Sequence, residues 1–341
     1  MANATNVLVT GGAGYVGSHC CKALATAGFV PVTIDNLVHG HRDAVKWGPF
    51  VEGDLADAEL LTETIRAHSV RAVLHFAAFA YVGESMRAPG KYFSNNVCNT
   101  VTLLESMRLT GVDSIVFSST CATYGLPTSL PIKESQRQRP LNPYGESKLF
   151  AERALNWYGH AHGMRSASLR YFNAAGADPD AEIGETHSPE THLVPIVIST
   201  ALGQRPAVEI FGTDYPTEDG TAVRDYVHVT DLAEAHVSAL RQLMHGVREL
   251  RLNLGTGRGH SVREVVRAVS NSFGRAVPTR DRPRREGDAP VLVADAARAR
   301  RVLKWEPRRS SIEEIVETAR RWHERPGIQA RGATVGAPAA A

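Results

Sequence analysis

The segment Gly11-Gly12-Ala13-Gly14-Tyr15-Val16-Gly17-Ser18-His19 constrains this chain more than any other. It follows the apolar run Asn6-Val7-Leu8-Val9-Thr10 and opens an alanine-rich stretch that closes at Gly28. The apolar run reads as a buried parallel strand and the stretch beyond the glycines as a helix. Strand, glycine turn and helix in that order form the start of a dinucleotide-binding unit. The glycines permit a tight turn, let backbone approach a pyrophosphate and let helix pack closely on strand. The helix N-terminus then presents free N–H groups and the positive end of its dipole to the phosphates.

The alternation continues. A second strand is expected over 30–36, ending at Asp35 and Asn36. Asp35 stands about twenty residues past the turn, where a carboxylate accepts hydrogen bonds from an adenosine ribose. It would repel a 2′-phosphate, and no Arg adjoins it, which favours NAD over NADP. Further strands are expected over 50–55, carrying Asp54, and over 71–78, 114–120 and 167–171. Helices are expected over 92–110, with Asn95 and Asn96 in the first half, and over 142–162. This rhythm predicts an α/β fold, a Rossmann-type doubly wound parallel sheet. Past Gly176 the rhythm breaks: 177–225 is loop-rich, with Pro179, Pro189, Pro195, Pro206 and Pro216. Helices then follow over about 229–245, 261–273 and 312–323, with a strand-like piece over 252–255. The expected division is an NAD-binding domain of 1–176 plus about 226–255, and a second, smaller mixed α/β substrate domain of about 177–225 plus 256–325. The Gly-, Ala- and Pro-rich end, 326–341, reads as a disordered tail.

Lys plus Arg total 38 against 36 Asp plus Glu in 341 residues. That balance argues against a general nucleic-acid or membrane-surface binder. No leader or membrane-length apolar run is evident, and four cysteines without C-x-x-C spacing fit a reduced, cytoplasmic compartment. His187 and His192 lack a third ligand at a recognised spacing, so no metal is expected. His75, inside an apolar strand, reads as a core residue. Tyr144 and Lys148 lie four apart at the start of the helix that Asn142 and Pro143 open, so they share a face. A fixed positive charge beside a phenol favours the phenolate and makes the tyrosine a usable proton acceptor. Ser118, Ser119 and Thr120 end the fifth strand, where an open α/β sheet places its ligand. They could bind a substrate oxygen or simply satisfy turn backbone.

Together with Val82-Gly-Glu-Ser85, Tyr144-Gly-Glu-Ser-Lys148, Arg170-Tyr-Phe-Asn173, the 211–220 run from Phe211 to Gly220, Val223-Arg-Asp-Tyr-Val-His228 and Pro283-Arg-Arg-Glu-Gly-Asp288, the glycine turn resembles the extended short-chain dehydrogenases, on their UDP-glucose 4-epimerase branch. The likeness runs from about Asn6 to His323. It implies C4 inversion of a UDP-hexose, by oxidation to a 4-keto sugar, rotation and re-reduction. It implies Tyr144 as the base, Lys148 as its partner and a ribose ligand, and Thr120 as a hydrogen-bonding group at the same hydroxyl. The implied NAD site comprises Gly11, Gly14, Tyr15, Val16, Gly17, Asp35, Asn36, Asp54, Leu55, Phe76, Ala77, Ala78, Asn95, Ser118 and Tyr171. The implied UDP-sugar site comprises Phe172, Asn173, His192, Leu193, Phe211, Arg224, Arg285, Asp288 and Leu292. Leu292 occupies the position that, when bulky, screens out 2-acetamido sugars, so N-acetylhexose and pentose substrates stay open as alternatives. The family also implies a homodimer. Nucleotide-sugar 4,6-dehydratases carry an Asp-Glu pair where this chain has Cys121 and Ala122, which argues against elimination of water. A non-catalytic dinucleotide sensor would usually lack the Tyr or the Lys, and both are present.

Overall fold

The structure is a computed structural model that describes residues 5–285 and 288–328. Its strands are β1 Thr5–Thr10, β2 Phe29–Asp35, β3 Phe50–Glu52, β4 Ala72–His75, β5 Ser114–Thr120, β6 Arg165–Tyr171, β7 Asn173–Ala175, β8 Val208–Phe211, β9 Val223–His228, β10 Glu249–Leu254, β11 Gly259–Ser261, β12 Thr279–Arg282 and β13 Val291–Leu292. Its helices are α1 Tyr15–Thr26, α2 Ala58–Ala67, α3 Val82–Arg87, α4 Pro89–Phe93, α5 Asn99–Thr110, α6 Pro143–His162, α7 Leu193–Ala201, α8 Val229–Met244, α9 Val262–Phe273, α10 Ala297–Leu303 and α11 Ile312–His323.

The large sheet has seven strands in the order β10-β6-β5-β4-β1-β2-β3, and each of its pairs is parallel. The chain builds outward from β1 through β2 to β3, then returns to the other side of β1 with β4. The strand order therefore reverses between β1 and β4, and the crevice beyond their C-terminal ends is where such sheets bind ligands. Successive side chains of β1 point to opposite faces. Val7 and Val9 join Leu24, Leu232, Leu240 and Leu243 in the core under α1 and α8. Leu8 joins Leu61, Leu103, Leu104 and Met107 under α2 and α5 on the other face. Both faces are covered, which is why these strands are apolar throughout.

A smaller sheet, β11-β9-β13 with β7 on β9, and a β12–β8 pair lie beyond β6 in the sequence. A third core of Val194, Val197, Ile198, Val265, Val269, Ile315 and Val316 joins α7, α9 and α11. The loop-rich expectation for 177–225 is corrected here: α7 occupies Leu193–Ala201 despite Pro195. Pro195 falls in the first turn, where no N–H is needed by a preceding carbonyl. The expected helix over 92–110 is divided into α4, a π-helical turn Ser94–Cys98 and α5. Residues 326–328 form a helical turn in which Ile328 N–H donates to Arg325 O. The rest of the expected tail, 329–341, lies outside the described residues.

Candidate active site

The glycine turn sits at the strand-order reversal. Gly11 holds φ at +72°, its N–H donates to Ile34 O at 2.9 Å, and a Cβ there would lie 2.6 Å from Ala77 N. Only glycine allows β1, β2 and the segment after β4 to approach this closely. A Cβ on Gly17 would run into the Gly11 carbonyl, so α1 packs directly on the turn. Gly14 caps α1 without a side chain, and no acid stands in the first turn. That end of α1 keeps its positive character for an anion. Val16 packs into the core behind it.

Around the turn, Asp35 accepts from Ala13 N at 3.0 Å and Leu37 N at 2.8 Å, and burial raises its carboxyl above the usual range. Asn36 donates to Asp54 at 2.7 Å, and Leu55 is buried. Phe76 packs its ring 4.9 Å from that of His236, with Ala77 and Ala78 following at the end of β4. Tyr15 Oη donates to Gly176 O at 2.6 Å, tying the turn to the end of β7. Asn95, within the π-helical turn, bonds to Asn96 and Asn99. Asn96 is the more strongly wired of the pair. It accepts from Phe79 N at 2.9 Å and donates to Phe79 O and to Ser147 Oγ at 3.0 Å, so it joins the post-β4 segment to α6. Sequence reasoning placed Asn95 in the site and left Asn96 out.

Asn142 starts α6 by accepting from Gly145 N at 2.8 Å, with Pro143 in the first turn. Gly145 is required there, because a Cβ would lie 2.7 Å from Ala122 O. This close approach brings Tyr144 and Lys148 to the C-terminal end of β5. The Thr120 hydroxyl lies beside the Tyr144 phenol and acts to lower it. Lys148 Nζ donates to Ser118 O at 2.8 Å and lies 4.8 Å from the Phe117 ring centre. Ser118 Oγ bonds to the Tyr171 hydroxyl. Buried Ser118, Thr120 and Lys148 and half-buried Tyr144 and Tyr171 thus stand together at this end of β5.

The expected electrostatics of the pair are corrected. Burial pushes the Tyr144 phenol up to about 12, against the lowering bond from Thr120. Burial also pushes Lys148 down to about 7. In the protein alone the ammonium serves the Ser118 carbonyl and is only about half charged near pH 7, so it is no fixed cation beside the phenol. His75 behaves as a core residue: its nitrogens meet Thr10 Oγ1 at 2.6 Å and Thr100 Oγ1 at 2.9 Å, and burial lowers it to about 3.

Behind the site lies a buried network that sequence reasoning missed. Arg170 donates Nε to Glu152 Oε1 at 2.9 Å and Nη2 to Oε2 at 2.6 Å. Glu152 also accepts from Ser119 Oγ at 2.5 Å, and Arg170 donates to the Tyr124 hydroxyl, which bonds Asn253. The available signal was Glu152 four residues after Lys148, on the same helical face, with an arginine inside an expected strand.

Of the expected sugar-nucleotide residues, Asn173, Arg224 and Leu292 lie on the smaller sheet, Phe211 on β8 and Leu193 on α7. Phe172 packs with Cys121, Tyr124, Ile132, Ala294 and Leu292. Leu292 pairs with Arg224 in the strand register, and Asn173 with Tyr226. Arg224 donates Nη2 to Asp288 and Nη1 to Val223 O at 2.8 Å. The Arg285 guanidinium covers the Phe211 ring at 4.0 Å. His192 caps α7 just before Leu193, and its Nδ1 meets Glu185.

The model of the NAD dependent epimerase/dehydratase family matches residues 7–255. The chain is similar to the UDP-glucose 4-epimerase of Rhizobium meliloti (strain 1021), 51% identical over 94% of this chain and 97% of the relative. Its fold is similar to that of UDP-glucose 4-epimerase from Brucella ovis in complex with NAD, with a TM-score of 0.91, 52% identity and coverage of 93% of this chain and 98% of that one. It is also similar to UDP-glucose-4-epimerase from Stenotrophomonas maltophila with bound NAD and formylated UDP-arabinopyranose, with a TM-score of 0.90, 41% identity and coverage of 93% and 97%.

Proposed function

This chain belongs to the NAD dependent epimerase/dehydratase family, and we propose that Tyr144, Lys148 and Thr120 carry its chemistry at the C-terminal end of β5. Its activity is NAD-dependent inversion at C4 of a UDP-hexose, and glucose/galactose is the pair we favour. The residues present fit the dinucleotide: the uncapped end of α1 suits the pyrophosphate, and Gly11 leaves room only for backbone beside Ala77. Gly14, Tyr15, Val16, Gly17, Asp35, Asn36, Asp54, Leu55, Phe76, Ala77, Ala78 and Asn95 would hold it, with Ser118, Lys148 and Tyr171 at the reactive end. When bound, NAD supplies a hydride acceptor and donor at C4.

Tyr144 takes the 4-hydroxyl proton and later returns it, because its oxygen and that of Thr120 lie beside each other and can share the sugar oxygen. Lys148, held by the Ser118 carbonyl, orients the reactive end of the site. Arg224, Arg285, Asp288, Phe211, Phe172, Asn173, His192 and Leu193 hold the UDP portion. Planar, permanently charged guanidinium groups suit a diphosphate. An anchor remote from C4 lets a 4-keto sugar turn and present its other face. Cys121 is buried and burial pushes its thiol up to about 12, so it offers no acid or base for loss of water.

The observation that carries this reading is Tyr144 beside the Thr120 hydroxyl, with Lys148 one turn further along α6 and tied to the end of β5 through Ser118 O. Tyr144→Phe keeps the fold and the nucleotide but loses about 10²–10⁴ in kcat. The measurement is epimer conversion with each UDP-sugar alongside extraction of bound nucleotide; a fully active Phe variant refutes the assignment. Greater conversion of an N-acetylhexose or pentose pair replaces glucose/galactose as the physiological pair.

In this reading 1–176 with about 226–255 serves the dinucleotide, and about 177–225 with 256–325 serves the UDP-sugar. The exposed Phe150 and Trp157, seven residues apart on α6, and Val101 and Leu109 on α5 form an apolar face suited to a second copy. Free cysteines, three of them buried, suit a reducing cytoplasm. Among the described residues no helix is long and apolar enough to cross a membrane.

A further inference from the structure

We propose that Glu185, His187, Glu190 and His192 form a binding site for one divalent transition-metal cation of the zinc class, at the edge of the nucleotide crevice. The four side chains come from one eight-residue loop with the spacing Glu-x-His-x-x-Glu-x-His. One potential ligand atom from each lies within 4.8 Å of all the others. His187 Nδ1 is 3.0 Å from Glu185 Oε1 and 3.9 Å from Glu190 Oε2, and His192 Nδ1 is 3.9 Å from Glu190 Oε1. A tetrahedral ion with bonds of about 2.0–2.1 Å has ligand–ligand edges of about 3.4 Å. These three spacings straddle that edge, and His192 Nδ1 and Glu185 sit closer still, in a direct hydrogen bond that an ion would have to part.

Three features point to an ion rather than to a closed hydrogen-bond network. First, two carboxylates are buried beside each other. Glu185 and Glu190 have side chains only 4% and 12% exposed, and among the described residues their ion pairs run only to these two histidines. A cation among the four side chains would offset both carboxylate charges at once. Second, His187 Nδ1 is shielded from solvent and aimed at the carboxylates, yet it lacks the alignment of a hydrogen bond. Third, the loop is held from outside the cluster. Trp322 Nε1 donates to Glu185 O at 2.9 Å, and the His41 ring meets Thr186 O at 2.7 Å. Two imidazoles and two carboxylates select zinc-like ions over magnesium or calcium, which prefer oxygen throughout.

The position gives the cation a task. The His187 ring stands edge-on to Tyr15 of the glycine turn and to Tyr81, at 6.4 and 6.0 Å between centres. His192 leads directly into α7. An ion bridging the loop would fix the approach to α7 against the glycine turn. With Nδ1 of His192 on the metal, only Nε2 stays available to a substrate. The earlier expectation of no metal rested on two histidines alone; folding brings the two glutamates beside them.

The test uses the full-length protein, stripped with chelator and dialysed against zinc chloride or cobalt chloride. Elemental analysis is expected to find about one zinc per chain, and the cobalt form to show the intense visible bands of a tetrahedral site. His187→Asn and Glu190→Gln are each expected to weaken zinc binding at least about tenfold. A zinc content far below one per chain, cobalt bands absent from the wild-type protein, or equal zinc content in wild type and both folded variants overturns the site. The cobalt spectrum decides the matter even if a variant does not fold. Metal content is read independently of epimerisation, so failure here leaves the catalytic assignment standing.

Discussion

Glu152→Gln tests whether the buried network behind β5 sets the geometry of the site. Glu152 and Arg170 have side chains 5% and 3% exposed and meet through two hydrogen bonds. Glutamine keeps the shape but replaces one carboxylate oxygen with an NH2 group. On the Oε1 side that group would face Ser119 Oγ and Arg170 Nε; on the Oε2 side it would face Arg170 Nη2 and Gln138 Nε2. Either orientation sets donor against donor and leaves the arginine charge uncompensated. Breaking a buried pair this way costs about 3–5 kcal/mol. With an unfolding entropy of roughly 0.7 kcal/mol/K for a chain of this length, Tm falls by about 4–7 °C. Ser119 adjoins Thr120, so kcat is also expected to fall by about ten- to a hundredfold, with less effect on KM. Thermal unfolding by circular dichroism and steady-state epimerisation measure the two effects. Replacing Glu152 and Arg170 together by methionine removes both charges and is expected to recover stability but not rate. A single variant that loses less than 1 °C, or a double variant as unstable as the sum of the singles, refutes the reasoning.

Gly11→Ala strains a backbone at φ +72° and drives a Cβ to 2.6 Å from Ala77 N; purified protein is expected to carry no nucleotide, as read by acid extraction. Lys148 is depressed to about 7 from 10.5, so the unfolded chain binds the extra proton between those values and the stability of the nucleotide-free protein rises with pH across that window. Urea midpoints for wild type and Lys148→Met are expected to diverge there, and a parallel pH dependence refutes the shift. Trp157→Glu places a charge on the exposed face of α6 and is expected to turn a dimer into a monomer by light scattering; a monomeric wild type removes the proposed interface.

What the chain discloses depends on whether the cause is local. The strand, turn and helix from Asn6 to Thr26 are visible because glycine spacing and apolar runs are local features. Asn142 and Pro143 mark the start of α6 for the same reason. β11, β12 and β13 are two to four residues long, and their pairing partners lie at least thirty residues away in sequence, so no periodic pattern betrays them. α7 was hidden by Pro195, whose tolerance depends on its place in the first turn. Asn96 and Glu152 escaped notice because their partners, Ser147, Ser119 and Arg170, come from other elements. The four-residue spacing of Tyr144 and Lys148 on α6 was legible; their environment was not, because burial comes from the packing of the whole fold.

That environment decides how the base works. To release its proton near pH 7, a phenol at about 12 must fall by about five units, which is about 7 kcal/mol at 1.36 kcal/mol per unit. The lowering from Thr120 is already part of that value and takes nothing further off it. Lys148 cannot supply this energy in the protein alone, since it titrates near 7 and its ammonium is directed to the Ser118 carbonyl. It must arrive with whatever fills the crevice and restores charge at Lys148. Tyr144 therefore keeps its proton in the nucleotide-free protein, and activation of the base is coupled to assembly of the site rather than built into the Tyr-x-x-x-Lys pattern.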